Sequence, residues 1–251
     1  AGPARIGEGR ATAGEGGSRV AMLEGRIVLV AGGSSGMGRA TAEALARHGA
    51  HVVVAARRAA LCEQVVAGIR AGGGEATALP ADLADEASTA ALFAAIEARF
   101  GRLDGAFNNV GRTLGSSPLQ DTPTERLRQT LEINLVAVFH CLRHELRLMR
   151  AGGGGAIVNN SSIGGTRGFA NLSDYCAAKW GLIGLTKAAA LENAAHGIRV
   201  NVIAPGLVAT ERFEQVRAEH PAVIAGRLAE VPMQRPGQMR EVGEAVAWLV
   251  G

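Results

Sequence analysis

The sequence is poor in aromatic residues, cysteines and lysines. Its 251 residues include six Phe, two Trp, one Tyr and three Cys, and only two of its 26 basic residues are lysines. A net charge of +3 without a basic run, and so few rings for base stacking, argue against a nucleic-acid-binding protein. The widely separated Cys62, Cys141 and Cys176 predict neither a disulfide framework nor a zinc site, in keeping with a reducing compartment.

Long apolar runs and targeting signals are also missing. No stretch approaches the roughly 18 apolar residues of a membrane span, and the N-terminus lacks the apolar core of a secretion signal. We therefore expect a cytoplasmic enzyme that does not associate with membranes. Residues 1–21, rich in Gly, Ala, Arg and Glu, are predicted to be a disordered extension. Because the sequence stops at Gly251 inside an apolar helical pattern, residues 22–251 are predicted to form one domain truncated at its C-terminus.

The sequence does contain a regular alternation of short apolar runs and longer helical patterns. The helical stretches are long enough to be crossover connections between parallel strands. They predict a single doubly wound α/β domain of the Rossmann type, a parallel sheet flanked by helices on both faces, with ligands at the carboxyl ends of the strands. The six predicted strands are 26–31, 51–55, 75–81, 103–107, 156–161 and 198–204.

Two long helices are predicted, from Thr122 to about Arg150 and from Asp174 to about His196. In the first, Thr122, Pro123 and Glu125 have the spacing of a capping box with proline at the first helical position. The same helix carries His140 and His144, four residues apart and next to Glu145, which is the spacing of a helical metal pair. Since the sequence offers no third ligand, we predict a surface or interhelix role for these histidines and no metal site.

A glycine-rich segment, GGSSGMG at residues 32–38, follows the first predicted strand. Gly32, Gly36 and Gly38 would let the backbone turn sharply and approach a pyrophosphate, and the next helix would face it with free N–H groups. A glycine loop alone is weak evidence, because the same residues can form an ordinary turn. Its position between a strand and a helix favours a dinucleotide site.

The single tyrosine, Tyr175, lies four residues before Lys179, so that both side chains project from the same face of a helix. A phenol has a pKa of about 10, and a nearby ammonium lowers that pKa, which suits acid or base chemistry. A core tyrosine beside a snorkelling lysine is the alternative. Ser162, thirteen positions before Tyr175, follows a predicted strand at the edge where a substrate carbonyl would lie, and Ser161 is the competing assignment.

Taken together, these motifs resemble those of the short-chain dehydrogenase/reductase family, from about Met22 onwards. The resemblance implies hydride transfer between a nicotinamide cofactor and a carbonyl or secondary alcohol, with Asn134 linking Lys179 to solvent through its backbone and a water molecule. Residues 211–236 stand where the family has a mobile substrate lid. The family's T-G-x-x-x-G-x-G loop is matched by Gly32, Gly36, Met37 and Gly38, with Ala31 in place of the threonine, and its catalytic tetrad is matched by Asn134, Ser162, Tyr175 and Lys179.

The same resemblance implies the cofactor contacts. Asp82 and Leu83 would border the adenine, Asn108 would lie near the adenine ribose, and Thr210 would bond the nicotinamide carboxamide. Val208 would contribute through its backbone. The full implied set is Gly32, Ser34, Ser35, Gly36, Met37, Gly38, Arg57, Asp82, Leu83, Asn108, Tyr175, Lys179, Pro205, Gly206, Val208 and Thr210.

NADP (NADPH) is predicted to be preferred over NAD, which stays the alternative. At the end of the second strand, Ala56 stands where NAD-specific members of the family carry an acidic residue, and Arg57 follows. A guanidinium can pair with a 2′-phosphate, whereas a carboxylate would repel it. The competing interpretation is that Arg57 and Arg58 are solvated surface charges.

The resemblance also implies a homodimer or homotetramer, with the two long helices pairing across a two-fold axis and the family's seventh strand missing. The expected partner is a small carbonyl or alcohol substrate. A non-catalytic NADP-binding regulator and an isomerase or dehydratase on the same fold stay open as alternatives.

Overall fold

The structure, a computed structural model, describes residues 21–251 and contains one six-stranded sheet. Every pair of neighbouring strands is parallel, in the order β3-β2-β1-β4-β5-β6, which confirms the predicted doubly wound α/β fold. The segment predicted to be disordered, residues 1–21, lies outside the described residues except for Ala21. The strands are β1 (Ile27–Ala31), β2 (His51–Ala55), β3 (Glu75–Ala78), β4 (Gly105–Asn108), β5 (Gly155–Asn160) and β6 (Ile198–Ile203).

Nine α-helices lie within residues 21–251, and none of these is long and apolar enough to cross a membrane. They are α1 (Gly36–Arg47), α2 (Ala59–Ala71), α3 (Glu86–Phe100), α4 (Thr124–Leu131), α5 (Ala137–Ala151), α6 (Ser173–Asn193), α7 (Glu211–Glu219), α8 (Pro221–Ala229) and α9 (Met239–Val250).

The two faces of the sheet carry separate hydrophobic clusters. Successive side chains of a strand point to opposite faces, so Leu29 and Val53 pack with α3, α5 and α6, whereas Val28 and Val30 pack with α1, α2 and α9. Both faces of the strands are therefore buried, which is why the strands read as continuous apolar runs. The carboxyl edge of the sheet is left for loops and ligands.

The predicted long helix from Thr122 is interrupted, and its predicted capping box is wrong. The helix begins at Thr124, and Thr122 lies outside it, where its hydroxyl donates to the Pro118 carbonyl (3.0 Å) and accepts from Arg126 (2.9 Å). Residues 132–136 form a π turn between α4 and α5. Wider turns of this kind are frequent at functional sites.

The two histidines of α5 lie among packed helices. His140 is buried, and the ring of His144 stacks on Phe93 of α3 with 5.1 Å between ring centroids. Within the described range, 21–251, no three His, Cys, Asp or Glu side chains come together as a metal site would require. Contact with α3 agrees with the predicted interhelix role of His144.

Candidate active site

A cavity of about 800 Å³ opens at the carboxyl ends of the central strands. Open parallel sheets bind ligands at this edge, near the point where the strand order reverses between β1 and β4. Of the predicted cofactor contacts and the predicted catalytic tetrad together, four residues do not line this cavity: Gly38, Asn108, Asn134 and Val208. The predicted residues that do line it are Gly32, Ser34, Ser35, Gly36, Met37, Arg57, Asp82, Leu83, Ser162, Tyr175, Lys179, Pro205, Gly206 and Thr210.

The glycine loop follows β1 and leads directly into α1. Gly32 has a φ of +80° and Gly36 a φ of +56°, a backbone conformation that favours glycine. A Cβ on Gly32 would lie 2.7 Å from the Asn109 carbonyl oxygen, and one on Gly38 would collide with the Gly32 carbonyl. A Cβ on Gly36 would be in ordinary contact with Glu211 Oε2 (3.6 Å) and Thr210 Cγ2 (3.9 Å), so the start of α7 lies close to this end of α1. The N-terminus of α1 faces the cavity, which Gly36 and Met37 both line.

Two arginines line the cavity at the end of β2. Arg57 lies beside Arg58, whose guanidinium donates to Ser34 Oγ (3.3 Å) and Ser35 Oγ (2.8 Å) in the glycine loop. Arg58 was not in the predicted contact set. Its only signal in the sequence is its position in the Ala-Arg-Arg run after the second strand. Ala56, which also lines the cavity here, adds no negative charge, so Arg57 and Arg58 make this part of the cavity positively charged.

Ser162 and Tyr175 meet next to a short turn after β5. Ser162 caps a 3-10 turn at residues 163–165, where its Oγ accepts a hydrogen bond from the Gly164 N–H (3.1 Å). A Cβ on Gly164 would lie 3.3 Å from Cε1 of Tyr175 and 3.6 Å from Ser162 Oγ, so this glycine leaves room for both side chains. The competing Ser161 also lines the cavity, but its hydroxyl is bound to the protein, donating to the Lys179 carbonyl (3.0 Å).

Lys179 lies one helical turn after Tyr175 on α6. Its Nζ donates to the Asn160 carbonyl (2.8 Å) and is 5.7 Å from the centroid of the Tyr175 ring. Burial lowers the pKa of Lys179 to about 8. Burial raises the pKa of Tyr175, and a hydrogen bond with Ser162 opposes that change. The predicted lowering of the tyrosine pKa is not found in this structure, where burial disfavours the phenolate and the Lys179 ammonium donates to the Asn160 carbonyl.

Asn134 lies behind the cavity wall rather than in it. It is fully buried in the π turn, where its Oδ1 accepts from the Arg112 N–H (3.0 Å) and its Nδ2 donates to the Arg112 carbonyl (2.9 Å). A Cβ on Gly111 would lie 3.1 Å from Lys179 Nζ and would collide with Asn134 Oδ1. Asn134 and Lys179 therefore meet across Gly111.

The predicted position of Asn108 beside the cofactor is wrong. Its side chain is fully buried below the sheet and donates to Glu145 Oε2 (3.0 Å) and Asn159 Oδ1 (2.9 Å). Burial raises the pKa of Glu145 to about 8. Because side chains alternate along a strand, Asn108 faces α5 and the next residue, Asn109, lines the cavity. Strand alternation alone indicates that Asn108 and Asn109 face opposite sides of the sheet, but not which of them faces the cavity.

Asn109 and Asn160 connect the glycine loop to the end of β5. Asn160 Nδ2 donates to Asn109 Oδ1 (2.7 Å), and Asn109 Nδ2 donates to the Gly32 carbonyl (3.3 Å). The Gly32 carbonyl can only accept, which fixes the orientation of both amides. Since Asn160 also supplies the carbonyl that binds Lys179, one chain of hydrogen bonds joins the loop to the lysine.

The segment predicted as a lid, residues 211–236, contains α7 and α8. Thr210 caps α7 by accepting from the Phe213 N–H (3.2 Å), and Glu211 and Arg212 line the cavity. Val208 is buried and pairs with Gly237 in a parallel bridge. This bridge fixes the start of the segment through its backbone.

Known proteins resemble the chain over most of its length. A family model described as enoyl-(acyl carrier protein) reductase matches residues 31–251. The cis-4-hydroxycyclohexanecarboxylate dehydrogenase of Sinomonas cyclohexanicum is 42% identical over 224 residues, covering 89% of this chain and 88% of the relative. The cyclohexanol dehydrogenase of an Acinetobacter species is 38% identical over 225 residues, covering 90% and 87%.

A solved structure shares the fold as well as the sequence. The crystal structure of levodione reductase superposes with a TM-score of 0.87 at 36% identity, over 91% of this chain and 92% of that one. The chain therefore belongs to the short-chain dehydrogenase/reductase family.

Proposed function

We propose that this chain is an NADPH-preferring oxidoreductase that interconverts a ring-borne secondary alcohol and its ketone. The observation that carries the proposal is the meeting of Ser162, Tyr175 and Lys179 along one wall of a cavity whose other end is the glycine loop. A phenol, a hydroxyl and an ammonium in one cavity are the groups that proton transfer at a carbonyl oxygen requires.

The cavity suits a dinucleotide. Gly36 lines the cavity at the N-terminus of α1, where free N–H groups and the positive end of the helix dipole favour a pyrophosphate. Arg57 and Arg58 would hold a 2′-phosphate, and Ala56 leaves no carboxylate to repel it. When bound, the nicotinamide cofactor supplies or accepts the hydride.

The side chains of this protein would handle the proton and the substrate oxygen. In the direction of reduction, the Tyr175 hydroxyl would give its proton to the substrate oxygen, and the Ser162 hydroxyl would donate a hydrogen bond to the same atom. Lys179 would supply positive charge near the ring while bound to the Asn160 carbonyl. Asn134 would hold the loop at Gly111 and Arg112 in place beside the lysine.

The substrate class is drawn from the relatives. The names of the two dehydrogenases specify a hydroxycyclohexanecarboxylate and cyclohexanol, both secondary alcohols on a six-membered ring. We infer the same kind of substrate here, because the chain is about two-fifths identical to both over most of their lengths.

We also propose that the protein assembles into a homodimer or homotetramer. The support is an apolar surface on α5 and α6, where Phe139 is 43% exposed, Trp180 53% and Leu191 83%. Large exposed apolar side chains on neighbouring helices are typical of an interface between subunits. The cytoplasmic location stays a prediction.

The test is a measurement of alcohol oxidation and of cofactor binding in parallel. Cyclohexanol and cis-4-hydroxycyclohexanecarboxylate are offered with NADP⁺ and with NAD⁺, and the dissociation constants of NADPH and NADH are measured for the parent and for Ala56→Asp. We expect about a tenfold to hundredfold preference for NADPH, the effect of charge-assisted bonds, and its reversal in Ala56→Asp. Equal affinity for both cofactors would contradict the NADPH assignment, and absence of any oxidation would contradict the activity.

A further inference from the structure

Arg112 is held at the catalytic end of the cavity by its backbone. Its N–H donates to Asn134 Oδ1 and its carbonyl accepts from Asn134 Nδ2, at 3.0 and 2.9 Å. The preceding residue, Gly111, has a φ of +144°, and a Cβ there would lie 3.1 Å from Lys179 Nζ. Because Asn134 is itself fully buried, the start of the Arg112 side chain has a fixed place next to the lysine.

Arg112 is an exposed residue of the cavity lining, and its charge is uncompensated. Within residues 21–251, the hydrogen bonds of Arg112 are those of its backbone, and its guanidinium forms no ion pair. Arg126, in the segment that follows, shows the contrast, since its guanidinium pairs with Asp174 (3.1 Å). A guanidinium that faces a cavity without an acidic partner is available to a ligand.

The acidic residues of the cavity lining lie elsewhere. Asp82 follows β3, and its carboxylate accepts from the Ala84 N–H (3.2 Å). Glu211 lies by the glycine loop, where its Oε2 is 3.6 Å from the Cβ position of Gly36. No other Asp or Glu of the described chain is part of the lining. The region around Lys179 and Arg112 is therefore electropositive.

We infer that Arg112 binds an anionic group of the substrate, so that the substrate of this enzyme is a secondary alcohol or ketone that also bears a carboxylate. This inference rests on the proposed function and narrows it. The guanidinium has two parallel N–H donors that fit the two oxygens of a carboxylate. Such charge-assisted hydrogen bonds are stronger than hydrogen bonds between neutral groups. The carboxylate would orient the ring, because Arg112 and the Tyr175 hydroxyl would bind two separate points of the substrate.

The experiment compares an acid with its neutral counterpart. Oxidation of cis-4-hydroxycyclohexanecarboxylate, its methyl ester and cyclohexanol with NADP⁺ is measured for the parent, Arg112→Gln and Arg112→Lys. The matched control is Arg128→Gln, which removes an exposed arginine from α4. The dissociation constant of NADP⁺ is measured for each variant by fluorescence titration, because a guanidinium could also bind a cofactor phosphate.

In Arg112→Gln, we expect KM for the acid to rise by about tenfold to a hundredfold, the effect of a lost charged hydrogen bond. KM for the ester and for cyclohexanol, and the affinity for NADP⁺, should stay within about twofold of the parent. Arg112→Lys should recover part of the loss, since lysine keeps the charge but not the planar donor pair. Arg128→Gln should match the parent throughout.

Three results would overturn the inference. An equal loss on acid, ester and cyclohexanol would make Arg112 a purely structural residue. Weaker NADP⁺ binding would assign it to the cofactor. If the parent enzyme oxidises the acid no better than the ester, the inference that the substrate bears a carboxylate is wrong, whereas the proposed alcohol oxidation still stands. If none of the alcohols is oxidised, the proposed function fails, and calorimetric binding of the acid to the NADP⁺-loaded parent and Arg112→Gln still decides the role of Arg112.

Discussion

Glu145 and Lys179 are buried ionisable residues whose pKa values move in opposite directions to about 8. Burial disfavours the charged form of each, which raises the pKa of an acid and lowers that of a base. The shifted pKa has a different consequence for each of the two residues. Glu145 is protonated at neutral pH and takes part in a hydrogen-bond network below the sheet. Lys179 lines the cavity, where its Nζ lies 5.7 Å from the centroid of the Tyr175 ring.

The first prediction concerns Glu145→Gln and stability. Because the pKa of Glu145 is raised in the folded state, its contribution to stability is complete below about pH 4.5 and is lost as the pH rises through about 8. Over that window the parent should lose up to about 1.4 kcal/mol of unfolding free energy per pH unit through this group. Glutamine keeps an acceptor for Asn108 and does not titrate. Urea unfolding of both proteins at several pH values measures the difference, and identical pH dependence would contradict the prediction.

The second prediction concerns Lys179→Ala and the pH dependence of alcohol oxidation. Removing the ammonium near the ring takes away the positive charge that favours the phenolate of Tyr175. The pH at which kcat/KM is half-maximal should therefore rise by about one to three units, the usual effect of a neighbouring opposite charge. Lys187→Ala is the matched control, since Lys187 is the other lysine of the chain, lies on the same helix and is exposed. A profile unchanged from the parent would exclude this role for Lys179.

At the scale of elements, the strands and most helices follow from the sequence. The bounds predicted for the strand at residues 51–55 are the observed ones, because buried parallel strands have strong local patterns. The break after α4 was not predictable in this way. It coincides with contacts between distant segments, namely Asn134 with Arg112 and Arg126 with Asp174, which hydrophobic periodicity does not encode.

The residues of the site also divide into those that local motifs predict and those whose position depends on contacts between distant segments. Motifs identified the glycine loop, Ser162, Tyr175 and Lys179 as neighbours, and the structure brings them to one cavity. The assignment of Asn108 failed because a motif does not say which side of a strand each of two adjacent asparagines faces. Arg58 was missed because its contact with Ser35 joins two loops that are separate in sequence.

The third prediction tests the asparagine pair that joins two elements. Asn160→Val removes the amide that links Asn109 and the glycine loop to the end of β5. Loss of one hydrogen bond should weaken NADPH binding by about threefold to tenfold, because the loop is less well held in its binding conformation. Asn201→Val, on β6 and outside the cavity lining, is the control. Fluorescence titration of NADPH measures both, and equal affinity in parent and Asn160→Val would show that the pair does not position the loop.

At the scale of the whole molecule, the cavity and the residues proposed to react lie at one edge of the sheet. The order of strands reverses between β1 and β4, and the loops after these strands diverge to opposite sides and leave the cavity between them. Arg57 and Arg58 follow β2, whereas Arg112 lies in the segment after β4. The molecule therefore offers positive charge at two places along a single cavity.

The fourth prediction concerns assembly. If α5 and α6 form the interface between subunits, Trp180→Glu should give a smaller particle, because a carboxylate cannot be buried against an apolar partner surface without a large cost. Light scattering after size-exclusion chromatography measures the mass. Trp248→Glu, at a similarly exposed tryptophan on α9, is the control. A parent protein of monomer mass would contradict the assembly.

The central claim is that the Tyr175 hydroxyl transfers the proton in a hydride-transfer reaction, and Tyr175→Phe tests it most directly. Phenylalanine keeps the ring beside Gly164 and Lys179 but removes the hydroxyl. NADPH affinity, measured by fluorescence titration, should stay within about twofold of the parent. In the same preparation kcat for ketone reduction should fall by about a hundredfold to ten-thousandfold, the usual contribution of a general acid. A variant that binds NADPH normally and reduces the ketone at the parent rate would contradict the claim.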